Sequence, residues 1–367
     1  MSRSRQFPTI TIIGLGVIGG SLGLALKQSN PGVKIVGFDE PDVLRTAKKR
    51  KAIDRAASSL KDALSRADFV FMCTPVSAIV KMLPNVSRFI MAHAIVTDVG
   101  SVKGVIDAAA RKYFSGRGVF VGGHPMAGSE GSGMKYADPL LFQNAAYVLC
   151  PLRNDRRAVQ PLVRLLKSIG AHILMMDARE HDRVAASVSH LPQLLAVSLM
   201  DFAAGKNKES AAFLQLAAGG FRDMTRIASS PFPIWKDILQ SNRREVKGVL
   251  REFRGAIKNV DAMLNERTLS SMGKKFVRAK SFRDEIPKNS KGFLHSLHDL
   301  FVWVDDKPGV LAKMTAALYK KGININDIEL LKVREGRGGT FRLSFESGEA
   351  AASAAKVLRA KGIRVVT

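Results

Sequence analysis

The sequence predicts an α/β protein built on a doubly wound sheet, followed by an all-helical domain and a small βαββαβ domain of ferredoxin-like topology. Three observations carry that prediction. Short β-rich apolar runs alternate with helical runs over residues 1–176, strand signals stop over residues 177–267, and they return in a compact pattern after residue 298. At 367 residues the chain is long enough for several domains, each with its own core.

In the first segment, Thr9–Gly14, Val33–Phe38, Asp68–Cys73, Ala94–Asp98, Gly118–Gly122 and Ala146–Pro151 read as strands, with helical patterns such as Val17–Gln28 and Asp155–Ser168 between them. Strict alternation implies parallel strands with helices on both faces. In the second segment, Ala178–Ala204 and Pro233–Leu264 repeat apolar positions at three- and four-residue steps, the mark of helices. Their apolar faces exceed what one bundle would bury, so a second copy of the chain is expected against them, giving a homodimer. Residues 268–297 are polar, basic and punctuated by Gly273, Pro287 and Gly292, which suits a linker. Beyond it, Asp299–Val304, Ile323–Val333, Thr340–Glu346 and Ile363–Val366 read as strands, and Gly309–Lys321 and Glu349–Ala360 as helices.

Composition narrows the function classes. The apolar runs Val70–Cys73 and Leu194–Leu199 fall far short of the roughly 20 residues of a membrane span. The N-terminus enters a strand without a signal-peptide segment, so no membrane partner is expected. Cys73 and Cys150 both lie in apolar, strand-like stretches, as buried free thiols in a reducing cytoplasm do, and no metal-ligand spacing accompanies them. The net charge of +25 raises nucleic acid as a partner. The basic residues are widely spread, however, and no recognition motif goes with them, so nucleic acid is not the expected partner. A field of that sign would instead concentrate an anionic substrate and cofactor.

The cofactor signal is the most specific. The apolar run Ile10–Gly14 leads at once into Gly14-Leu-Gly16-Val17-Ile18-Gly19-Gly20, which opens a helix. Gly14 permits a tight turn, Gly16 lets a pyrophosphate approach the backbone, and Gly19 lets helix and strand pack closely. Asp39 ends the next strand, about 20 residues past the last glycine of the fingerprint, where a carboxylate accepts from ribose hydroxyls. It would repel a 2′-phosphate, and Glu40 beside it adds to that repulsion, so NAD is expected over NADP. Thr74 and Pro75, at the end of a later strand, are the next expected cofactor contacts of this Rossmann-type domain.

Three further clusters hold polar residues that a core does not require: Asp98-Val-Gly-Ser101-Val-Lys103, Gly123-His124 through Glu130, and Ser189-His190-Leu-Pro-Gln with Gly220 through Ala228. The first two follow strands, so they are expected at the crevice beyond the strand ends. Taken singly, each has a plain structural reading: a turn histidine, a core histidine, an Arg226 paired with Asp223.

Together they resemble the prephenate dehydrogenase family over essentially the whole chain. GLGVIGGSLGLAL at 14–26, DVGSVK at 98–103, GGHPMAGSEGSG at 122–133, SHLPQ at 189–193 and GGFRDMTRIASSPFPIWKDI at 219–238 carry the resemblance. RDEIPKNSKG at 283–292 and the segment from Asp299 are similar to the forms that end in an ACT domain. The resemblance implies an NAD-dependent oxidative decarboxylation of prephenate to 4-hydroxyphenylpyruvate, in the biosynthesis of tyrosine. It implies His124 as the catalytic histidine and Ser101 as its orienting partner. Arg226 would bind a substrate carboxylate, His190 would line the pocket, and Glu130, Asp223 and Trp235 would shape or gate its entrance. In the ACT domain, Asp306, Pro308 and Gly309 would receive an amino-acid effector, expected to be tyrosine. The alternative substrate is arogenate, or both compounds. A different hydroxy-acid dehydrogenase on the same fold is a further rival, which the TRIA-to-WKDI block counts against. A non-enzymatic basic nucleic-acid-binding protein is the alternative of another class.

The implied chemistry suits these groups independently. Oxidising a ring hydroxyl needs a base for the O–H proton, and a neutral imidazole is matched to that task near pH 7. Loss of the ring carboxylate leaves electrons that flow into an aromatic ring, so the reaction needs no metal.

Overall fold

A computed structural model of the chain describes residues 7–116, 118–128, 131–153, 156–264, 269–285, 297–334 and 338–366. The chain divides into two compact units, residues 1–272 and 273–367.

The first unit is organised by an eight-stranded sheet. Its strands are β1 (Thr9–Ile13), β2 (Lys34–Phe38), β3 (Arg55–Ala56), β4 (Phe69–Met72), β5 (Ile95–Asp98), β6 (Val119–Pro125), β7 (Ala146–Pro151) and β8 (His172–Met175), in the spatial order β3-β2-β1-β4-β5-β6-β7-β8. β4 and β5 are buried at every residue, as parallel strands covered on both faces must be, which is why they read as unbroken apolar runs. One face packs Ile10, Ile12, Phe71, Val121, Tyr147 and Leu149 against helical Leu22, Leu26, Leu162 and Leu166. The other packs Val70, Met72, Val96 and Phe120 against Ile79, Leu83, Val86 and Ile106. This is the doubly wound arrangement that the alternation predicts.

The sheet departs from all-parallel at one place. β7 runs antiparallel to β6, and β8 follows β7 in parallel. Among its described residues the chain from Met126 to Ala145 makes turns and one short 3-10 helix (Met134–Tyr136) but no crossover helix, and it returns beside β6 in the opposite sense.

The segment after β8 is helical. Helix Ala178–Ala185 continues through a π-helical turn, Ala186–His190, into helix Leu191–Asn207. Pro192 accounts for the turn: it has no N–H for the carbonyl of Val188, and its ring clashes with a regular helical path there. Two short helices, Ala212–Gln215 and Gly219–Thr225, precede the longer helices Phe232–Ser241 and Arg243–Met263. Among the described residues no helix is long and apolar enough to cross a membrane.

Part of the stretch read as a linker is regular: Leu269–Glu285 forms a helix of 17 residues. Its sequence has no continuous apolar stripe, and Gly273 sits inside it, so neither periodicity nor punctuation announced it.

The second unit holds β9 (His298–Val304), β10 (Asp327–Arg334), β11 (Gly338–Phe345) and β12 (Arg364–Val366), in the order β10-β11-β9-β12 with every pairing antiparallel. Helices Val310–Tyr319 and Gly348–Ala360 pack Met314, Leu318, Ala354 and Leu358 against Val302, Val304, Leu343 and Phe345. This is the expected ferredoxin-like βαββαβ topology.

Candidate active site

Strand register brings the separate motifs to one edge of the sheet. Ile13 pairs with Met72, Met72 with Asp98, and Thr97 with Val121. The glycine turn, the Cys73-Thr74-Pro75 turn, the loop after Asp98 and the Gly123-His124 end of β6 therefore leave the sheet side by side.

The glycine turn is built as its sequence requires. Gly14 has φ of +89°, and a Cβ there would lie 2.6 Å from the carbonyl oxygen of Cys73. A Cβ on Gly19 would lie 2.0 Å from the carbonyl oxygen of Gly14, so only glycine lets helix Val17–Ser29 pack so close. A Cβ on Gly16 would meet nothing within 4 Å. Its side faces open space, as a backbone must if a diphosphate is to reach it. Gly16 is also the N-cap of that helix, with no side-chain cap and no acidic residue in the first turn, which leaves the N–H groups of Val17 and Ile18 for an anion.

Asp39 braces the same turn, accepting from the Leu15 amide through Oδ2 and from the Glu40 amide, 2.7 Å away, through Oδ1. A carboxylate has about four acceptor positions, so ribose hydroxyls can still be received. Thr74 Oγ1 is buried without a hydrogen-bond partner. A hydroxyl sealed in that way at a cofactor turn fits a ligand that supplies the missing partner. Pro75, exposed, is the N-cap of helix Val76–Phe89, whose Ser77 amide donates to Asp237 Oδ2 at 2.9 Å. Asp237 lies in the WKDI block, so the substrate-side helix is fastened directly beside the cofactor turn.

Between β5 and β6 lies a buried polar floor. Lys103 and Asp98 are 1% and 0% exposed, and the ammonium donates to the Asp98 carboxylate and to the Gly123 carbonyl, 2.6 Å away. Asp98 also accepts from the amides of Gly100 (2.8 Å) and Gly123 (3.1 Å), so the pair fixes the chain on either side of it. A buried ion pair is tolerable only when further hydrogen bonds satisfy its members, and here the Gly123 carbonyl and two amides do so.

His124 stands on that floor, 9% exposed. Its Nδ1 lies 2.8 Å from His181 Nε2, and His181 Nδ1 lies 2.9 Å from Asp182 Oδ1. Asp182 further accepts from the amides of Lys103 (2.7 Å) and Gly104 (2.8 Å), capping helix Gly104–Tyr113. Burial pushes the His124 imidazole well below its ordinary pKa, and the neighbouring His181, Lys103 and His190 push it the same way, so it is neutral at physiological pH.

His190 is brought to the same cluster by the π turn and is 1% exposed. Asn242 ties it in, its Nδ2 donating to the Asp182 carbonyl (2.8 Å) and lying 3.3 Å from His190 Nδ1. Burial lowers the His190 pKa to about 4, against a partly opposing pull from Asp182. Trp235, half-buried, meets the His190 ring edge-on at 6.0 Å. Gln193 Nε2 donates to the Ile227 carbonyl at 3.0 Å and so holds the Arg226–Ser229 turn against the SHLPQ helix.

The remaining expected residues are placed less centrally. Ser101 is half-buried, but the expectation that it orients His124 is not matched by a hydrogen bond among the described residues; His181 holds the imidazole instead. Arg226 and Asp223 are exposed on this single chain, and Glu130 lies outside the described residues. In the second unit, Asp306 and Pro308 lie on an exposed loop, and Gly309, with φ of +81°, is the N-cap of helix Val310–Tyr319. His181, Asp182 and Asn242 escaped the sequence reading. Glu180-His181-Asp182 looks like the solvated face of a helix, and only the tertiary fold turns two of those three inward.

Residues 22–175 match the family described as prephenate dehydrogenase, nucleotide-binding domain; residues 177–278 match prephenate dehydrogenase, dimerization domain; and residues 298–361 match the ACT domain. The glycine turn lies ahead of the first of these matches, so its assignment rests on its own geometry. The chain is 38% identical over 344 residues, covering 93% of both sequences, to a prephenate dehydrogenase from Bacillus subtilis. Among solved structures it is similar to prephenate dehydrogenase from Aquifex aeolicus in complex with hydroxyphenyl propionate and NAD+ (TM-score 0.71, 29% identity, 77% of this chain and 100% of that one). It is also similar to Synechocystis arogenate dehydrogenase (TM-score 0.67, 29% identity, 76% of this chain and 99% of that one).

Proposed function

The chain belongs to the prephenate dehydrogenase family, and from that membership we propose how its residues divide the work of an NAD-dependent oxidative decarboxylation of prephenate. The bound dinucleotide supplies the hydride acceptor. Gly16 and the amides of Val17 and Ile18 cradle its diphosphate on the turn that Gly14 and Gly19 shape, Asp39 holds its ribose, and Thr74 and Pro75 meet the reacting end. His124 takes the proton of the ring hydroxyl as the ring carbon is oxidised. The bond to the ring carboxylate then breaks, carbon dioxide leaves, and the electron pair enters the ring. His124 returns its proton to the phenolate oxygen, so none is lost to solvent over the cycle.

Arg226 binds a substrate carboxylate from the rim, and a second copy of the chain would bury it further. His190, whose Nδ1 is met by Asn242, presents Nε2–H to the substrate. Ser101 lies within the loop that borders the hydroxyl, and Glu130, Asp223 and Trp235 shape the entrance. The observation that carries this reading is the continuity of one buried cluster from the end of β6, through His124, to His190 on the helical segment. A neutral base near the cofactor turn and a pocket wall on the helices are thereby parts of one site.

The helical segment exposes Val188, Phe202, Leu216, Phe232 and Ile234, as a surface covered by a second subunit would, and we assign a homodimer. The ACT unit is assigned a tyrosine effector at the Asp306–Gly309 loop. Burial raises the pKa of both thiols, Cys73 and Cys150, which are free and unreactive, in keeping with a cytoplasmic enzyme.

The test is NADH formation with prephenate and arogenate side by side. Turnover of prephenate is expected, falling by orders of magnitude in His124→Asn while NAD affinity is retained. Near-normal turnover in that variant would remove His124 from the reaction, and turnover of arogenate alone would overturn the substrate.

A further inference from the structure

Two residues that the family resemblance did not bring forward, His181 and Asp182, stand behind His124. We propose that they are positioning residues: they fix His124 in the tautomer with its hydrogen on Nδ1, so that Nε2 presents a lone pair to the substrate hydroxyl. The inference rests on the reading of His124 as the base.

With both imidazoles neutral, the hydrogen bonds admit one assignment of protons. Asp182 receives the Lys103 amide and the His181 ring on Oδ1 and the Gly104 amide on Oδ2. A carboxylate in that setting only accepts, so His181 Nδ1 must carry a hydrogen. A neutral imidazole has one, which leaves His181 Nε2 as an acceptor. Its partner at 2.8 Å is His124 Nδ1, which must then donate. The single hydrogen of neutral His124 is thereby spent on Nδ1, and Nε2 is basic. The opposite tautomer would place two lone pairs face to face.

The same pair serves the charged state. When His124 accepts the substrate proton its ring becomes cationic beside Lys103, in a site that disfavours a positive charge. His181 meets that charge with a lone pair, and Asp182 stands behind it with an acceptor. His181 and Asp182 are 2% and 6% exposed, so the pair is sealed from bulk water. That suits a proton that is lent between two steps and handed back. The groups beside the two imidazoles are Lys103 from the loop after β5, itself paired with Asp98 at the end of that strand, Asp182 from the first helix of the helical segment, and His190 from the π turn.

The experiment is a double-mutant cycle on the full-length protein, with kcat, KM, NAD affinity and Tm measured for each variant. Asp182→Asn puts a donor opposite His181 and reverses both tautomers. It is expected to lower kcat by about 10³- to 10⁴-fold, the scale known for the corresponding change behind a hydrolase histidine. KM and NAD affinity should stay within about threefold, as expected when the lost interaction acts on the chemical step alone. In the His124→Asn background the same substitution should cost nothing further, because its effect passes through His124. Additive losses, or a near-normal kcat in the single variant, would overturn the proposal.

Because Asp182 also caps a helix, His181→Leu provides a variant that leaves both capped amides alone. It should lose at least about tenfold in kcat, again only when His124 is present. Imidazole ¹⁵N spectra give a readout without turnover: the hydrogen of His124 is expected on Nδ1 in the wild type, and a hydrogen on Nε2 would refute the assignment. If His124→Asn keeps its activity, the base itself is misassigned. If it is inactive and Asp182→Asn is additive to it, only the role of the pair fails.

Discussion

A neutral imidazole sealed inside a protein makes stability depend on pH. His190 has its pKa lowered from 6.5 to about 4 in the folded chain, chiefly by burial. Below pH 6.5 the unfolded chain takes up a proton that the folded chain refuses, so the contribution of His190 to stability is constant above that value and is lost as pH falls toward about 4. The full difference is on the order of 3 kcal/mol. His124 contributes in the same sense. His190→Gln should therefore flatten the fall of Tm between pH 6.5 and 4 relative to the wild type; an identical slope would show that His190 is not held neutral. At this scale the sequence revealed the residues that sit in motifs. His124 and His190 were legible because each is embedded in a run with no other purpose in a core. His181, Asp182 and Asn242 were not, because a histidine, an aspartate and an asparagine on or between amphipathic helices look the same whether they face water or one another. Ser101 shows the converse: its motif was legible, but the hydrogen bond to His124 comes from His181, on helix Ala178–Ala185.

Elements report on the glycine turn with a cleaner contrast. Gly16 and Gly19 belong to one fingerprint, yet their neighbours differ: a Cβ on Gly16 meets nothing within 4 Å, while one on Gly19 meets the Gly14 carbonyl at 2.0 Å. Gly16→Ala should fold with an unchanged Tm and lose NAD affinity by about tenfold or more, because only the ligand needs that space. Gly19→Ala should be destabilised by about 1–3 kcal/mol or more before any ligand is added. Thermal melts and a fluorescence titration with NADH separate the two, and a Gly16→Ala protein that binds normally would place the diphosphate elsewhere. The alternation of strand and helix was readable because each crossover has its own period. The reversal of β7 was not, since it depends on the absence of a crossover in a stretch whose length would have allowed one. β3, two residues long, carries too little pattern to be seen, and β8, though apolar, is a four-residue edge strand too short to set apart from the helical runs on either side of it.

At the scale of the whole molecule the two units have separate cores, so regulation and catalysis can be separated experimentally. A chain ended at residue 292 should keep turnover and lose inhibition by tyrosine; inhibition that survives would put the effector in the crevice itself. The charge of +25 draws anions toward the surface generally, and its effect on substrate capture should weaken with salt. The interior of the site is another matter. Lys103 and Asp98 cancel, the two histidines that bear on the reaction are uncharged, and the Asp182 carboxylate behind them is met by two backbone amides and the His181 ring. A dianion is thus attracted by the exterior and delivered onto a nearly dry surface that carries no net positive charge. Such a surface solvates a carboxylate poorly and is indifferent to carbon dioxide, so the gas departs without an electrostatic tether while the remaining monoanion is still held from outside.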